Sequence, residues 1–280
     1  MRTADLDGGR VDYQDTGSPD DPAVIVLDGM GSRLVGQLAA AHASASGVRI
    51  IAPDRPGYWD SSPREGSPLE SWPQACRELL DHLGIEHAAV LGSSAACPMT
   101  FAAASALGAR ITAVAIVGPM APFDETTDLS DMIASQRRAF RLAARRPALG
   151  AFSMRMTGAV ARRSPNLALR LVASQRPRVD AQRIAQPELR HLMLQSIPGL
   201  IGPATPDDLA VLVGDWTHVL DGVVQPVRIW VGTDDSVHPR SMAVGLKERL
   251  ASAEIVEVEG GFFACTDRLD EILTWATATD

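Results

Sequence analysis

Three short segments of this chain carry residue types that could do acid–base and nucleophilic chemistry. Ser94 lies in the run GSSAA at 92–96, whose small residues suit the strained strand-to-helix turn that exposes a serine nucleophile. The run GTDD at 232–235 could supply a carboxylate that orients a histidine. Near the C-terminus two glycines are followed by two phenylalanines, in the run GGFF at 260–263, and the sequence contains no histidine after His238. The pattern therefore predicts a nucleophile and an acid without the usual general base.

The elements that would position these residues alternate along the chain. Apolar runs typical of strands buried on both faces of a parallel sheet occur at 23–27, 48–52, 88–91, 111–117, 227–231 and 255–258. Helical patterns occur at 34–43, 68–83, 95–107, 241–251 and 267–276. This alternation predicts an α/β fold with a mostly parallel, twisted sheet and helices on both faces.

The strand pattern stops between about 124 and 222. This stretch is rich in arginine, is punctuated by prolines and is typical of several short helices. We therefore predict a core domain formed by 1–123 and 223–280, with 124–222 inserted as a helical cap, or lid. Because ligands of open α/β sheets bind at the carboxyl ends of the strands, the lid is expected to close over that edge.

Composition limits the classes of partner. The 280 residues carry a net charge of −8, so no basic field is available for a nucleic acid. Residues 1–10 are polar and contain no apolar core of a signal peptide, and the uncharged stretch 88–109 is interrupted by glycine, serine and proline. We predict a cytoplasmic protein that contacts neither nucleic acid nor membrane.

The three cysteines do not form a metal or disulfide pattern. Cys76, Cys97 and Cys265 lack CxxC spacing, so neither a zinc site nor a disulfide framework is expected. Cys97 directly follows the serine turn, which makes it a candidate pocket residue. Cys97 and Cys265 are expected to approach each other as small packing groups.

Four further segments match the motifs of one family. GRVDY at 9–13 is similar to an opening strand, and DGMGSR at 28–33 is similar to an oxyanion loop, one residue shorter and with Asp in place of His. DRPGY at 54–58 matches a characteristic turn, and PVRIWVGTDD at 226–235 matches the strand that delivers the acid. Together with the serine turn, they make nearly the whole chain resemble the α/β-hydrolase fold, as found in bacterial serine hydrolases.

The resemblance assigns roles to individual residues. It implies that Ser94 takes the nucleophile position and Asp235 the acid position. It also implies that the backbone N–H groups of Met30 and Ala95 form the oxyanion hole, which stabilises charge that develops on a carbonyl oxygen.

The same resemblance places an aromatic residue where the family has its histidine. Phe262 takes that position, or Phe263 if the loop slips by one residue. An aromatic ring excludes water but transfers no proton, and loss of the histidine from a comparable triad costs roughly 10⁶-fold in kcat. We therefore expect a non-hydrolytic step, such as cyclisation, elimination or isomerisation, on a small apolar substrate, without metal or cofactor and in bacterial specialised metabolism.

Few other residues could replace the missing base. His238 lies three residues after Asp235, but the resemblance makes a structural histidine the default interpretation. Asp28 follows a buried strand at the mouth of the expected pocket. It is interpreted either as part of an Asp-Gly turn or as a carboxylate near Ser94 whose pKa is raised by burial.

Two alternative functions stay open. The first is a serine esterase, hydrolase or acyltransferase that uses His238, Asp28 or one of the lid histidines His191 and His218 as its base, and it predicts covalent chemistry at Ser94. The second is a non-catalytic protein whose pocket holds a ligand, and it predicts that Ser94→Ala leaves the function intact.

Overall fold

A single eight-stranded sheet organises the described part of the chain. A computed structural model describes residues 1–123 and 127–278. The strands are β1 (Arg2–Leu6), β2 (Gly9–Thr16), β3 (Ala23–Leu27), β4 (Arg49–Pro53), β5 (Ala88–Ser93), β6 (Ile111–Val117), β7 (Val227–Gly232) and β8 (Ala253–Val258). Their order in the sheet is β1-β2-β4-β3-β5-β6-β7-β8, and only β2 runs antiparallel to its neighbours. The predicted α/β class and mostly parallel sheet are confirmed.

The helices follow the predicted alternation in the core. In the described residues they are α1 (Leu34–Ser46), α2 (Pro68–His82), α3 (Cys97–Leu107), α4 (Ala134–Arg145), α5 (Pro147–Arg163), α6 (Pro165–Ser174), α7 (Arg178–Ile184), α8 (Pro187–Ser196), α9 (Thr205–Leu212), α10 (Arg240–Lys247), α11 (Phe262–Thr266) and α12 (Leu269–Thr277). No helix within the described ranges has both the length and the apolar composition needed to cross a membrane.

Alternate residues of the central strands face opposite sides of the sheet. Ile25 of β3 and Val90 of β5 contribute to the hydrophobic cluster that includes α2 and α3, whereas Val24 and Leu91 contribute to the cluster that includes α1 and α12. Burial on both faces explains why these strands are continuous apolar runs.

In the described residues, six helices, α4 to α9, lie between β6 and β7. The prolines that punctuate this part of the sequence mark helix starts, since Pro147, Pro165 and Pro187 are the first residues of α5, α6 and α8. Proline fits there because the first turn of a helix does not use its N–H groups. The division into a core domain and a separate cap at 124–222 stays a prediction, and residues 124–126 lie outside the described residues.

Candidate active site

Ser94 lies on a sharp turn at the carboxyl end of β5. The strand ends at Ser93, residues Ser94–Ala96 form one turn of 3₁₀-helix, and α3 follows directly. Ser94 has a φ of +52°, a left-handed conformation that costs free energy for a residue with a side chain. Gly92 is required because a Cβ there would lie 2.1 Å from Oγ1 of Thr100. The backbone therefore holds the serine in the strained geometry that the GSSAA run predicted.

His238 connects this serine to a buried carboxylate. Nε2 of His238 lies 2.8 Å from Oγ of Ser94, and Nδ1 lies 2.9 Å from Oδ2 of Asp235. The side chains of His238 and Asp235 are each about 1% exposed. The sequence predicted a structural His238 and no histidine beside the serine, whereas the structure places His238 between the predicted nucleophile and the predicted acid.

A tight turn after β7 brings the acid and the histidine together. Oδ1 of Asp235 accepts hydrogen bonds from the backbone N–H groups of Val237 and His238, at 2.9 and 3.0 Å. Such an aspartate-centred turn folds the chain back over its own carboxylate. The side chain three residues later is thus directed onto the other carboxylate oxygen. The neighbouring Asp234 is exposed, as expected from the sequence.

The environment of Asp235 favours its ionised form. Burial alone would raise the pKa of this carboxyl, but the charge of His238 and its hydrogen bonds, together with the charge of Arg176, outweigh burial and lower the pKa to about 2. A carboxylate accepts hydrogen bonds but donates none, so Nδ1 of His238 carries a proton. In the neutral ring, Nε2 is then free to accept the hydroxyl proton of Ser94.

Phe262 packs against the histidine. Its ring centroid lies 5.3 Å from that of His238, and a Cβ at Gly118 would lie 2.8 Å from the Phe262 ring and 3.0 Å from Nδ1 of His238. Gly118, whose φ is +65°, thus leaves the space that both rings occupy. Phe263 is buried beside Phe262, at 5.4 Å between ring centroids. That Phe262 or Phe263 replaces the family's histidine stays a prediction.

The loop after β3, which carries Met30, lies close to the serine turn. A Cβ at Gly29 would lie 3.0 Å from the backbone nitrogen of Ala95 and 3.2 Å from Cβ of Ser94. Met30 follows with a φ of +52°, and Ala95 lies in the first turn of the helix, where N–H groups lack intrahelical acceptors. The predicted roles of the Met30 and Ala95 N–H groups are therefore geometrically reasonable, and they stay a proposal.

A buried ion pair between Arg55 and Asp208 holds the loop after β3 in place. Nη2 of Arg55 donates to the carbonyl oxygen of Met30 at 3.1 Å and to Oδ2 of Asp208 at 2.6 Å. The hydroxyl of Tyr58 donates to the same Asp208 oxygen at 2.7 Å. Asp208 belongs to α9, so this network, which sequence reasoning missed, joins the helical insertion to the core.

Two cavities meet at Ser94. One, of about 180 Å³, is lined by Asp28, Val35, Arg176, His238 and Phe262 among others, and the second, of about 230 Å³, by Met120, Phe140, Leu209 and other uncharged residues. Met30, Ser94 and Ala95 line both cavities. Together they fall in the range of roughly 300 to 1,000 Å³ that small-molecule sites occupy.

The arrangement of strand, turn and loop is that of a known family. A family model described as the alpha/beta hydrolase fold matches residues 22–269, which is most of the chain. The chain belongs to the alpha/beta hydrolase fold family. An uncharacterized hydrolase of Bacillus subtilis, YcgS, is 32% identical over 119 residues, covering 41% of this chain. The chain spans only 40% of the length of that curated relative.

Solved structures share the fold of this alpha/beta hydrolase family member. An alpha/beta hydrolase fold protein from Nakamurella multipartita is 23% identical with a TM-score of 0.64, the match covering 98% of both chains. An esterase from Rhodococcus sp. is 20% identical with a TM-score of 0.68, covering 99% of this chain and 98% of the other. Epoxide Hydrolase A from Mycobacterium thermoresistibile is 19% identical with a TM-score of 0.69, covering 98% and 95%. At these identities the likeness establishes the fold alone.

Asp28 of this hydrolase-fold protein has a structural task. Its Oδ1 and Oδ2 accept from the backbone N–H groups of Val35 and Gly36, both at 2.9 Å, in the first turn of α1. Burial raises the pKa of the Asp28 carboxyl, while the two backbone hydrogen bonds oppose that rise. The carboxylate is thus committed to a helix N-terminus. Asp28 lines the cavity at Ser94, as predicted, but both of its carboxylate oxygens already accept backbone hydrogen bonds.

The remaining candidates lie away from the chemistry. Cys97 is fully buried, accepts a hydrogen bond from the Met120 N–H at 3.3 Å, and has its pKa raised by burial to about 12. Cys97 and Cys265 belong to different hydrophobic clusters, so the expected approach of the two is wrong. His191 and His218 are exposed, and neither lines the two cavities at Ser94.

Proposed function

We propose that the protein is a serine hydrolase that cleaves small esters, with Ser94 as nucleophile, His238 as general base and Asp235 as the acid that orients the base. The observation that carries this proposal is the hydrogen-bonded chain from Ser94 Oγ through both ring nitrogens of His238 to Asp235, at 2.8 and 2.9 Å. A nucleophile, a base and an orienting carboxylate in this order are the minimum needed to activate a serine hydroxyl.

The proposed reaction proceeds in two halves. His238 takes the hydroxyl proton as Ser94 Oγ attacks the ester carbonyl, and the Asp235 carboxylate stabilises the imidazolium that forms. His238 then donates that proton to the departing alkoxide, which leaves an acyl group on Ser94. A water molecule, deprotonated by the same nitrogen, attacks this acyl group and restores the free serine.

The surroundings of Ser94 suit a tetrahedral intermediate. The N–H groups of Met30 and Ala95 would donate to the developing oxyanion, a contribution that is typically worth 10²- to 10³-fold in kcat for one donor. The two cavities on either side of the serine would hold the acyl and alcohol parts of the ester. The second cavity has an uncharged lining, which favours an apolar group there.

The non-hydrolytic step expected from the sequence loses its premise. That expectation rested on the absence of a base, and His238 is within hydrogen-bonding distance of the serine. No feature of the described residues favours cyclisation, elimination or isomerisation over hydrolysis. The comparisons, in turn, support membership of a hydrolase-fold family without showing which reaction this chain catalyses.

A labelling and turnover experiment tests the proposal. The purified protein would be treated with a fluorophosphonate and read by intact mass, and its hydrolysis of 4-nitrophenyl butanoate would be measured. We expect one adduct on Ser94 in the wild type and none in Ser94→Ala. His238→Gln is expected to lower kcat by about 10⁴- to 10⁶-fold. The exposed His191→Gln serves as the matched control and is expected to change kcat by less than about twofold.

Two results would overturn the assignment. Absence of an adduct, with an ordinary serine hydrolase fully labelled beside it, would remove Ser94 as a nucleophile. An adduct that forms equally well in His238→Gln would remove His238 as the base while leaving the serine in its role.

A further inference from the structure

One side chain of the first cavity has unused hydrogen-bonding capacity. Arg176 lies in the connection between α6 and α7 and lines the cavity together with Ser94, His238 and Phe262. Its side chain is 16% exposed, and its guanidinium lies over the rings of Phe262 and Phe263, at 5.3 and 5.6 Å from their centroids. It supplies the one arginine or lysine among the described residues that line this cavity.

The donors of this guanidinium are not satisfied by the protein. Nε and Nη1 of Arg176 are both buried, and neither has a hydrogen-bond partner among the described residues. A buried, charged donor without an acceptor costs free energy, so such groups normally meet a carboxylate, a carbonyl or a ligand.

The neighbouring carboxylate does not fill this role. Oδ2 of Asp180 lies 3.5 Å from Nη1 of Arg176, which is an ion pair without a hydrogen bond. The two oxygens of Asp180 instead accept from the backbone N–H groups of Phe262 and Phe263, at 3.1 and 3.2 Å. Asp180 therefore offsets part of the positive charge of Arg176 but leaves its Nε and Nη1 without a hydrogen-bond acceptor.

The other carboxylate of the cavity is also engaged. Asp28 lines the same cavity, but both of its oxygens accept backbone N–H groups of α1. No carboxylate of the described lining is thus placed to accept from Nε of Arg176. The second cavity, in contrast, contains no charged residue in its described lining. The two sides of Ser94 consequently differ in what they can bind.

We infer that Arg176 binds a carboxylate of the substrate, so that the preferred ester carries one anionic group on the side of the scissile bond that enters the first cavity. The planar guanidinium matches a carboxylate with two parallel N–H groups, either those of Nη1 and Nη2 or those of Nε and Nη2, and its contacts with two aromatic rings restrict its movement. This inference rests on the proposed ester hydrolysis at Ser94.

The test compares matched esters. Neutral 4-nitrophenyl butanoate, pentanoate and hexanoate would be paired with the analogues in which the terminal methyl is a carboxylate. A second pair would carry the same change on the alcohol part of a butanoate ester. Spontaneous hydrolysis is subtracted with Ser94→Ala. For the better of the two sides we expect the carboxylate to raise kcat/KM by about 10- to 100-fold, the usual effect of a charge-assisted hydrogen bond.

Three variants of the protein identify the residue responsible. Arg176→Met is expected to abolish the preference for the carboxylate, measured as the ratio of kcat/KM for each carboxylate ester to that for its neutral partner. Arg176→Lys keeps the charge but not the fork, and is expected to retain an intermediate preference. Arg178→Met removes an exposed arginine two residues away and is expected to leave both values unchanged.

A binding measurement separates this inference from the hydrolysis proposal. In Ser94→Ala, free glutarate or adipate is expected to raise the melting temperature, and Arg176→Met in the same background is expected to abolish the rise. A rise without turnover of any ester would retain the anion site and reject hydrolysis. Turnover of neutral and anionic esters at equal rates would reject the anion site and retain hydrolysis. Equal losses for both ester classes in Arg176→Met and Arg176→Lys would instead assign Arg176 to the support of Asp235.

Discussion

Asp235→Asn is the substitution that most directly tests the connection between acid and histidine. The amide keeps an oxygen that can accept from the backbone N–H groups of Val237 and His238, so the turn is expected to persist. Its NH₂ group, however, would face Nδ1 of His238 and donate to it. The ring would then carry its proton on Nε2, where it cannot accept the proton of Ser94.

The magnitude follows from two sources. An Asp-to-Asn change at this position of a comparable triad lowers kcat by about 10⁴-fold through the wrong tautomer, and we expect a loss of that order. The pKa of Asp235 falls from an ordinary 3.8 to about 2, and at about 1.4 kcal/mol for each pH unit this corresponds to about 2 to 3 kcal/mol of unfolding free energy near pH 7. The variant should lose most of that amount.

The pH dependence has a definite sign. Because the folded-state pKa is depressed, the stabilisation is fully present above about pH 4 and is lost as the pH falls through about 2. The difference in unfolding free energy between wild type and Asp235→Asn should therefore be retained above about pH 4 and should shrink below it. Urea denaturation monitored by fluorescence measures this difference, and hydrolysis of 4-nitrophenyl butanoate measures kcat.

The neighbouring residue provides the control. Asp234→Asn changes an exposed carboxylate on the same loop and is expected to alter kcat by less than about twofold and stability by less than about 0.5 kcal/mol. If Asp235→Asn kept kcat within tenfold of wild type, the coupling of this carboxylate to the tautomer of His238 would be refuted.

Three further substitutions probe the frame around the site. Gly118→Ala should lower kcat by at least tenfold, because its Cβ meets the buried histidine ring, whereas Gly47→Ala, at a similar φ but in open space, should cost about 1 kcal/mol of stability with kcat unchanged. Asp28→Ala should destabilise the fold by about 1 to 2 kcal/mol in urea denaturation, and a kcat loss above tenfold would contradict its structural role. Asp208→Asn should cost about 3 kcal/mol, because it leaves Arg55 buried without its counter-charge; no change in the urea midpoint would contradict this.

The fold could be predicted from the sequence because strands that are buried on both faces of a sheet are continuous runs of apolar residues. The runs 23–27 and 111–117 match β3 and β6 to the residue, and the other four apolar runs differ from their strands by one or two positions at their ends. The strand β1 (Arg2–Leu6) was missed because it lies at the sheet edge, where only Ala4 is buried and the pattern is polar.

The sequence predicted the individual residues of the site but not the hydrogen-bonded link between them. Ser94 and Asp235 were located from backbone-determined motifs, a strained turn and a strand end. His238 was considered but taken as structural, because the resemblance to the family made that its default role. Its contact with Asp235 depends on the turn that the carboxylate itself folds. An aspartate followed by a histidine three residues later, in a loop after a buried strand, is the signal that could have predicted it. Arg176 and Arg55 act through long-range packing, which no local pattern encodes.

The contacts between the helical insertion and the core determine how a substrate can enter the site. Asp208 of α9 is held to the core by Arg55 and Tyr58, and the carboxylate of Asp180 in α7 accepts hydrogen bonds from the first N–H groups of α11. A hinged opening would have to break a buried ion pair or uncap a helix, each of which is costly. We therefore expect the insertion to stay in place during turnover, so that rotation of side chains at the cavity mouths controls the entry of substrate and the release of product. Turnover is then expected to be insensitive to solvent viscosity.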